Sequence, residues 1–349
     1  LGIAPEHISS IKQEKQKTLK RYHTCPNIFF DWQRGNIRIA KTDHIRNEYP
    51  CKLPFKGWFT LYSNICDSFR FSLFLSDYYL FTMRFQYIKP TGLLARYIRH
   101  YWVLETDYSE GEICERVIPT GNVEWMFHYR KTFIVKNKEP VYQPQSMVSG
   151  INSNFFDVAT RGESGVIAVT FYPHGAANFL KFPLSEIENS SINLKDIFNT
   201  TGKETEEQIC LARSQAERIA IIEKFLLRCF NPVKNNDFLL IKKGVELINQ
   251  CKGQINVSEL SQKLFLTNKS LERKFCAFLG KTPKQFIRIV RFQGVILNMS
   301  RPGDKYLTKM AYENGYFDQA HFVKDFKSLS GYTPKEFLAL GPCNADYFG

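Results

Sequence analysis

Residues 267–286, TNKSLERKFCAFLGKTPKQF, and residues 318–337, DQAHFVKDFKSLSGYTPKEF, are two copies of one pattern set 51 residues apart. The offset aligns Leu271 with Phe322, Phe275 with Phe326, Phe278 with Leu329, Gly280 with Gly331, and Thr282-Pro283 with Thr333-Pro334. In each copy the apolar residues fall at i, i+4 and i+7, the spacing of one helical face. Thr267 and Asp318 are suitable N-caps, and Gly280 and Gly331 suit a left-handed helix stop. A new helix follows at once. Thr282-Pro283-Lys284-Gln285 and Thr333-Pro334-Lys335-Glu336 combine a Thr cap, a Pro in the first turn and a Gln or Glu placed to close a capping box.

A short helix is expected before each capped one, over Val257 to Leu264 behind the cap Asn256 and over about Thr308 to Asn314. Here the offset is 50, with small residues Ser261 and Ala311 where two helices would cross, so the second turn is one residue longer. Short helix, tight turn and capped second helix are the parts of a helix-turn-helix, whose second helix enters a DNA major groove. A helical solenoid would need at least three copies, and the sequence shows two. Between the copies, Pro283 to Met299 predicts one rod, with Phe286, Ile289, Val290, Ile296 and Leu297 on its apolar face and Arg288 and Arg291 largely off it. Such a rod would hold two recognition helices for successive major grooves, ~34 Å apart.

With the apolar residues assigned to the core, exposed neighbours near each helix start are the candidates for reading bases. These are Asn268, Lys269, Glu272 and Arg273 in the first copy and Gln319 and Lys324 in the second. Arg suits guanine, Asn adenine, and Glu can accept from cytosine. Thr267, Lys281, Lys284, His321 and Lys335 are the candidates for phosphate, which takes most contacts in such interfaces.

Charge follows the same division. The 349 residues carry a net +13, which splits into +5 over residues 1–82, zero over 83–233, +9 over 234–340 and −1 over the tail 341–349, from Asp346. A neutral middle joined to a basic end is the pattern of a sensor attached to a polyanion binder. The nine cysteines include no close pair, so neither a zinc knuckle nor a redox CxxC is present, and they read as buried thiols of a reducing cytoplasm. The most apolar stretch, Trp58 to Phe81, is interrupted by Asp67, Arg70 and Asp77, and no membrane partner is expected.

The middle contains β-like runs at Tyr101–Leu104, Val123–Tyr129, Thr132–Val135 and Gly165–Phe171, separated by turn residues, with helical patterns at Gly175–Lys181 and Thr205–Cys229. A barrel or sandwich is expected. Phosphate loops, HExxH and a nucleophile elbow are absent, and His128 and His174 stand alone, so no cofactor, metal or catalytic residue is expected. Trp102, Trp125, Phe127 and Phe171 read as core or as the lining of an apolar pocket.

The stretch from about Phe238 to Leu340 resembles the DNA-binding domain of the AraC/XylS family of bacterial transcription regulators. The second copy supplies the family's pattern as Ala311, Gly315-Tyr316, Asp318, Phe322, Phe326-Lys327 and Gly331-Tyr332-Thr333-Pro334. Two positions depart from it: Phe265, where the first turn usually has glycine, and Glu272, acidic on the first recognition helix. The runs YIRHYWVLE, VIPTGNVEWMFHY and VTFYPHGAANFLKFPLSEI are similar to sensory domains of the same family. The resemblance implies an α+β chain, with an N-terminal cupin-like β-barrel or sandwich with helices followed by an all-α domain of two helix-turn-helix units joined by a long helix. It divides the sequence into an N-terminal part at 1–82, either an extension of little stable fold upstream of a start at Met83 or a small extra interaction domain, a regulatory domain at 83–230, a linker at 231–236, a DNA-binding domain at 237–340 and a tail at 341–349. The partners implied are double-stranded promoter DNA, RNA polymerase and a small-molecule effector, with a homodimer as one oligomeric option. Two other readings stay open: a metal-binding cupin enzyme with a nucleic-acid-binding tail, and an architectural DNA binder of low specificity.

Overall fold

The run SGVIAVTF, Ser164–Phe171, is buried at all eight positions. A strand covered on both faces needs no polar alternation, and this one is the centre of the N-terminal domain. The computed structural model describes residues 28–31, 36–39, 68–75, 79–106, 112–136, 139–233, 236–300 and 306–340. Two units are distinguished. Residues 1–52 and 71–82 form the first, in which β1 (Ile28–Asp31) and β2 (Asn36–Ile39) pair antiparallel. The expected N-terminal extension lies mostly outside the described residues, which within it are the strands β1, β2, β3 (Ser68–Leu75) and the start of β4 (Tyr79–Ile88).

The second unit contains the rest of the described chain from Met83. Its strands are β5 (Ile98–Thr106), β6 (Glu112–Val117), β7 (Glu124–His128), β8 (Ile134–Val135), β9 (Val141–Tyr142), β10 (Ser146–Ser149), β11 (Phe156–Arg161), β12 (Ser164–Phe171) and β13 (Ser191–Asn193). They form two sheets. One runs in the order β13-β10-β7-β12-β5-β4, and the other in the order β6-β11-β8-β9. Met126, Met147, Val158, Val166 and Ala168 pack between the sheets. Trp125, Phe127, Tyr101, Val169 and Phe171 belong to a separate core on the other face. That face is covered by α1 (Leu194–Leu211), kinked at Asn199, and α2 (Gln215–Cys229). The strand EWMFH thus sends alternate side chains to two cores, as a period of two requires.

Each expected β-run contains a strand, although Thr132–Val135 is one only at Ile134–Val135. The helical pattern at Gly175–Lys181 proves to be a 3-10 turn, Ala176–Asn178, and Thr205–Cys229 is interrupted between α1 and α2. Asn178, buried in that turn, accepts hydrogen bonds from the backbone of Asn231 and Val233 at 2.8 and 3.0 Å and so fastens the described part of the expected linker. Cys114 and Cys210 are exposed, contrary to the expectation of buried thiols.

The C-terminal part is helical: α3 (Asn236–Gln250), α4 (Val257–Lys263), α5 (Asn268–Leu279), α6 (Pro283–Ser300), α7 (Leu307–Glu313), α8 (Gln319–Ser330) and α9 (Pro334–Ala339). The rod α6 serves two cores. Phe286 and Ile289 join the core of the first repeat, whereas Phe292, Val295 and Ile296 join that of the second. Of the five residues expected on its apolar face, Leu297 is exposed, and Phe292 and Val295 occupy the buried side.

Candidate nucleic-acid interface

Each repeat folds as its caps dictate. Asn256 and Glu259 close a capping box at the start of α4, with bonds of 2.9 and 3.1 Å. Thr267 Oγ1 accepts from the Ser270 N–H at 3.2 Å, and Asp318 Oδ1 accepts from the His321 N–H at 2.6 Å, fixing the starts of α5 and α8. Both helices stop at left-handed glycines, Gly280 at φ 73° and Gly331 at φ 78°. The turn between helices is closed by the same bond in each copy, Leu266 N–H to Ser261 O at 2.9 Å and Tyr316 N–H to Ala311 O at 3.0 Å.

These caps and the buried faces Leu271, Phe275, Leu279 and Phe322, Phe326, Leu329 decide which side chains point outward. Asn268, Lys269, Glu272 and Arg273 are all exposed on α5, as are Gln319, His321 and Lys324 on α8. Thr267, Lys284 and Lys335 are exposed as well. The Gln319 carbonyl oxygen accepts from Thr308 Oγ1 at 2.7 Å, which orients its amide and leaves the NH2 group to donate. Lys327, absent from the sequence-based candidates, shares a shallow groove on α8 with Gln319, Ala320, Val323 and Lys324.

The rod is tied to both units by the two arginines that lie off its stripe. Arg288 pairs with Asp325 of α8 and donates to Ser328 Oγ at 2.8 Å. Arg291 donates to the Gly253 carbonyl at 2.9 and 3.1 Å, in the turn after α3. These bridges were not legible in sequence, because a charged residue off an apolar face reads as solvated until its partner is known.

Two matches to known families cover most of this unit. Residues 260–339 match a family described as a helix-turn-helix domain, and residues 86–193 match a domain of unknown function, DUF6597. The matched stretch, residues 260–339, is a helix-turn-helix domain. An HTH-type transcriptional regulator of Staphylococcus aureus is 29% identical over 88 residues, 25% of this chain and 12% of the relative. A counterpart from strain MRSA252 matches to the same extent, so the matched stretch spans about an eighth of these relatives' length. Among solved structures, ToxT from Vibrio cholerae aligns over 69% of this chain and 97% of its own at 13% identity and a TM-score of 0.39. The AraC-like activator CuxR aligns over 56% and 74% at 10% identity and a TM-score of 0.26.

One candidate in the helix-turn-helix domain needs correction. Lys281 was expected at phosphate, yet its side chain is wholly inaccessible. Its ammonium donates to Ser153 Oγ at 2.6 Å, Glu188 Oε1 at 2.8 Å and Asn189 Oδ1 at 2.8 Å, all from the sandwich. All three of its protons are therefore committed. Burial pushes the Lys281 pKa down, and Glu188 opposes that shift. The cause is the close approach of the preceding residue: a Cβ on Gly280 would stand 2.5 Å from the Leu184 carbonyl oxygen. The equivalent turn of the second unit docks on the sandwich too. A Cβ on Gly331 would meet Arg116 Nη1 at 2.4 Å, and the Arg116 guanidinium lies 4.4 Å from the centre of the Tyr332 ring. Tyr332 is the repeat counterpart of Lys281, so equivalent positions hold both helix-turn-helix units against one sandwich by different chemistry.

Proposed function

We propose that the chain is a sequence-specific DNA-binding transcription regulator, with α5 and α8 entering successive major grooves. The observation that carries this reading is the pair of equivalent helices, each capped at its start and exposing polar and basic residues there, in two units that Arg288 and Arg291 tie to one rod. Asn268, Lys269, Glu272, Arg273, Gln319 and Lys324 would read bases. Thr267, Lys284, His321 and Lys335 would position the backbone. The +9 charge of residues 234–340 supplies the counterion-release part of the affinity.

In this reading the sandwich is a regulatory module and not an enzyme, and it acts through its contacts with the turns at Gly280 and Gly331. Among the described residues no group of three or more His, Cys, Asp or Glu could hold a metal ion. No helix of the described residues is long and apolar enough to cross a membrane. The reading places the protein in the cytoplasm, where promoter DNA and RNA polymerase are its partners.

The test is binding of the full chain to a duplex selected from random sequence, followed by anisotropy at several salt concentrations. Tight binding that weakens steeply with salt and disappears when ~5 base pairs are inserted between the two half-elements is expected, because half a turn rotates one groove to the opposite face. Unchanged affinity after the insertion would leave only one helix-turn-helix engaged. Equal affinity for selected and random duplexes would favour an architectural binder.

A further inference from the structure

A partly open cavity of about 980 Å³ lies between the two sheets, lined also by Tyr332, Phe337 and Leu340 of the second helix-turn-helix unit. That is at the upper end for a small-molecule site, ~300 to 1,000 Å³. Its lining is largely apolar, including Trp102, Leu104, Met126, Phe133 and Val158. A carboxylate, Glu124, stands among them. The alternation of β7 that sends Trp125 and Phe127 to the helical face puts Glu124 and Met126 on the cavity side.

Glu124 is held in place. Its Oε1 accepts from Thr170 Oγ1 at 2.8 Å and from Trp102 Nε1 at 3.2 Å. Thr170 is its partner across the strand pair, so the sheet register itself sets this contact. Both donors are neutral. Among the described residues no Lys, Arg or His forms a salt bridge with Glu124. Desolvation pushes its carboxyl above the ordinary range, against those two hydrogen bonds. The guanidinium in the cavity wall, Arg116, is committed to Asp157 through two bonds of 2.6 and 2.8 Å. A second carboxylate, Glu115, lines the same cavity.

A carboxylate oriented by neutral donors in an apolar chamber lacks only its counter-charge, and leaving it without one is costly. We propose that the cavity binds an apolar ligand ending in a primary amine, whose ammonium pairs with Glu124 while its hydrocarbon part fills the space between the sheets. This rests on the reading of the sandwich as an effector-sensing module, and it names the class of effector. An acid of the same size would add a further carboxylate beside Glu124 and Glu115. An alcohol would make a hydrogen bond without a charge partner.

The experiment is calorimetric titration of the full chain with n-octylamine, n-octanol and n-octanoate, with anisotropy on its selected duplex measured on the same preparation. The amine should bind at least ~10-fold more tightly than the alcohol, and the acid most weakly. In Glu124→Gln, which keeps an oxygen to accept from Thr170 and Trp102, the amine should fall to the level of the alcohol. Equal binding of amine and alcohol, a preference for the acid, no binding of any probe, or a preference for amine that survives in Glu124→Gln would overturn the assignment. If the variant does not fold, the order of the three probes on the unmodified chain decides. Failure of the amine with duplex binding intact would remove the pocket assignment alone. Amine binding without duplex specificity would remove the regulator reading and leave the pocket.

Discussion

Phe265 and Gly315 occupy the same position in the two helix-turn-helix turns, and both are left-handed, at φ 55° and φ 73°. Glycine adopts that conformation at little cost, whereas a side chain there costs ~1 to 2 kcal/mol. Phe265 gains no burial in return, since it is 95% exposed. The residue that departs from the family pattern has therefore kept the turn and accepted the strain.

Phe265→Gly should accordingly leave the structure of the first turn intact. Relief of strain outweighs the added freedom of the unfolded chain, so stability should rise by up to ~1 kcal/mol. Urea denaturation of the two proteins checks this, and a lower midpoint for the variant would show that the aromatic ring has a partner in the folded protein.

Arg273 and Lys284 should separate base reading from backbone contact. Arg273→Ala should cost ~1 to 3 kcal/mol on the selected duplex and relax preference at one base pair. Lys284→Ala should weaken all duplexes about equally and lower the salt slope by about one. Anisotropy on selected and substituted duplexes across a salt series distinguishes the two.

Lys281 should behave unlike either. Its three bonds lie within the protein, so Lys281→Ala should leave the salt slope of DNA binding unchanged. Loss of the ammonium strands Glu188 and Asn189 at the contact with the sandwich, at ~1 to 3 kcal/mol of stability. A salt slope reduced by about one would return Lys281 to the phosphate contacts.

Acid should loosen the sandwich. Burial pushes the His128 pKa down to about 4. Burial likewise lowers His100 and His174 to about 4, aided by Arg99 and Lys242 respectively. The unfolded chain, with His near 6.5, binds more protons between these values, so stability falls as pH drops from about 6.5 to about 4. For His128 alone the loss between pH 6.5 and pH 5 is ~2 kcal/mol. His128→Phe should remove that share, seen as a smaller fall in melting temperature between pH 7 and pH 5.

The helical third was legible because its signals are local. Asn256 with Glu259, Thr267, Asp318 and the two glycines state where helices begin and end within a few residues of themselves. The exposed candidates on α5 and α8 followed from the same periodicity. Lys281 was misread for a physical reason: nothing near it in sequence reveals that Ser153, Glu188 and Asn189 surround it. The strand Glu124–His128 was recognised, but its function in separating two cores depends on pairing with Ser146–Ser149 and Val166–Thr170, which no local pattern encodes. Glu124 escaped notice because a lone acidic residue at a strand start reads as solvated until a second sheet closes over it.

The rod α6 carries one further consequence, for how the protein comes apart. The core that begins under the sandwich runs without a break through Leu271 and Phe275 to Ile289, and a separate core starts at Phe292. The seam between cooperative folding units therefore crosses the middle of a continuous helix, about fifty residues after the linker where the sequence suggests a boundary. A fragment cut at that linker would expose the apolar face of the first helix-turn-helix, whereas the second unit, with a core largely its own, is the part able to open first while the sandwich and the first unit stay together.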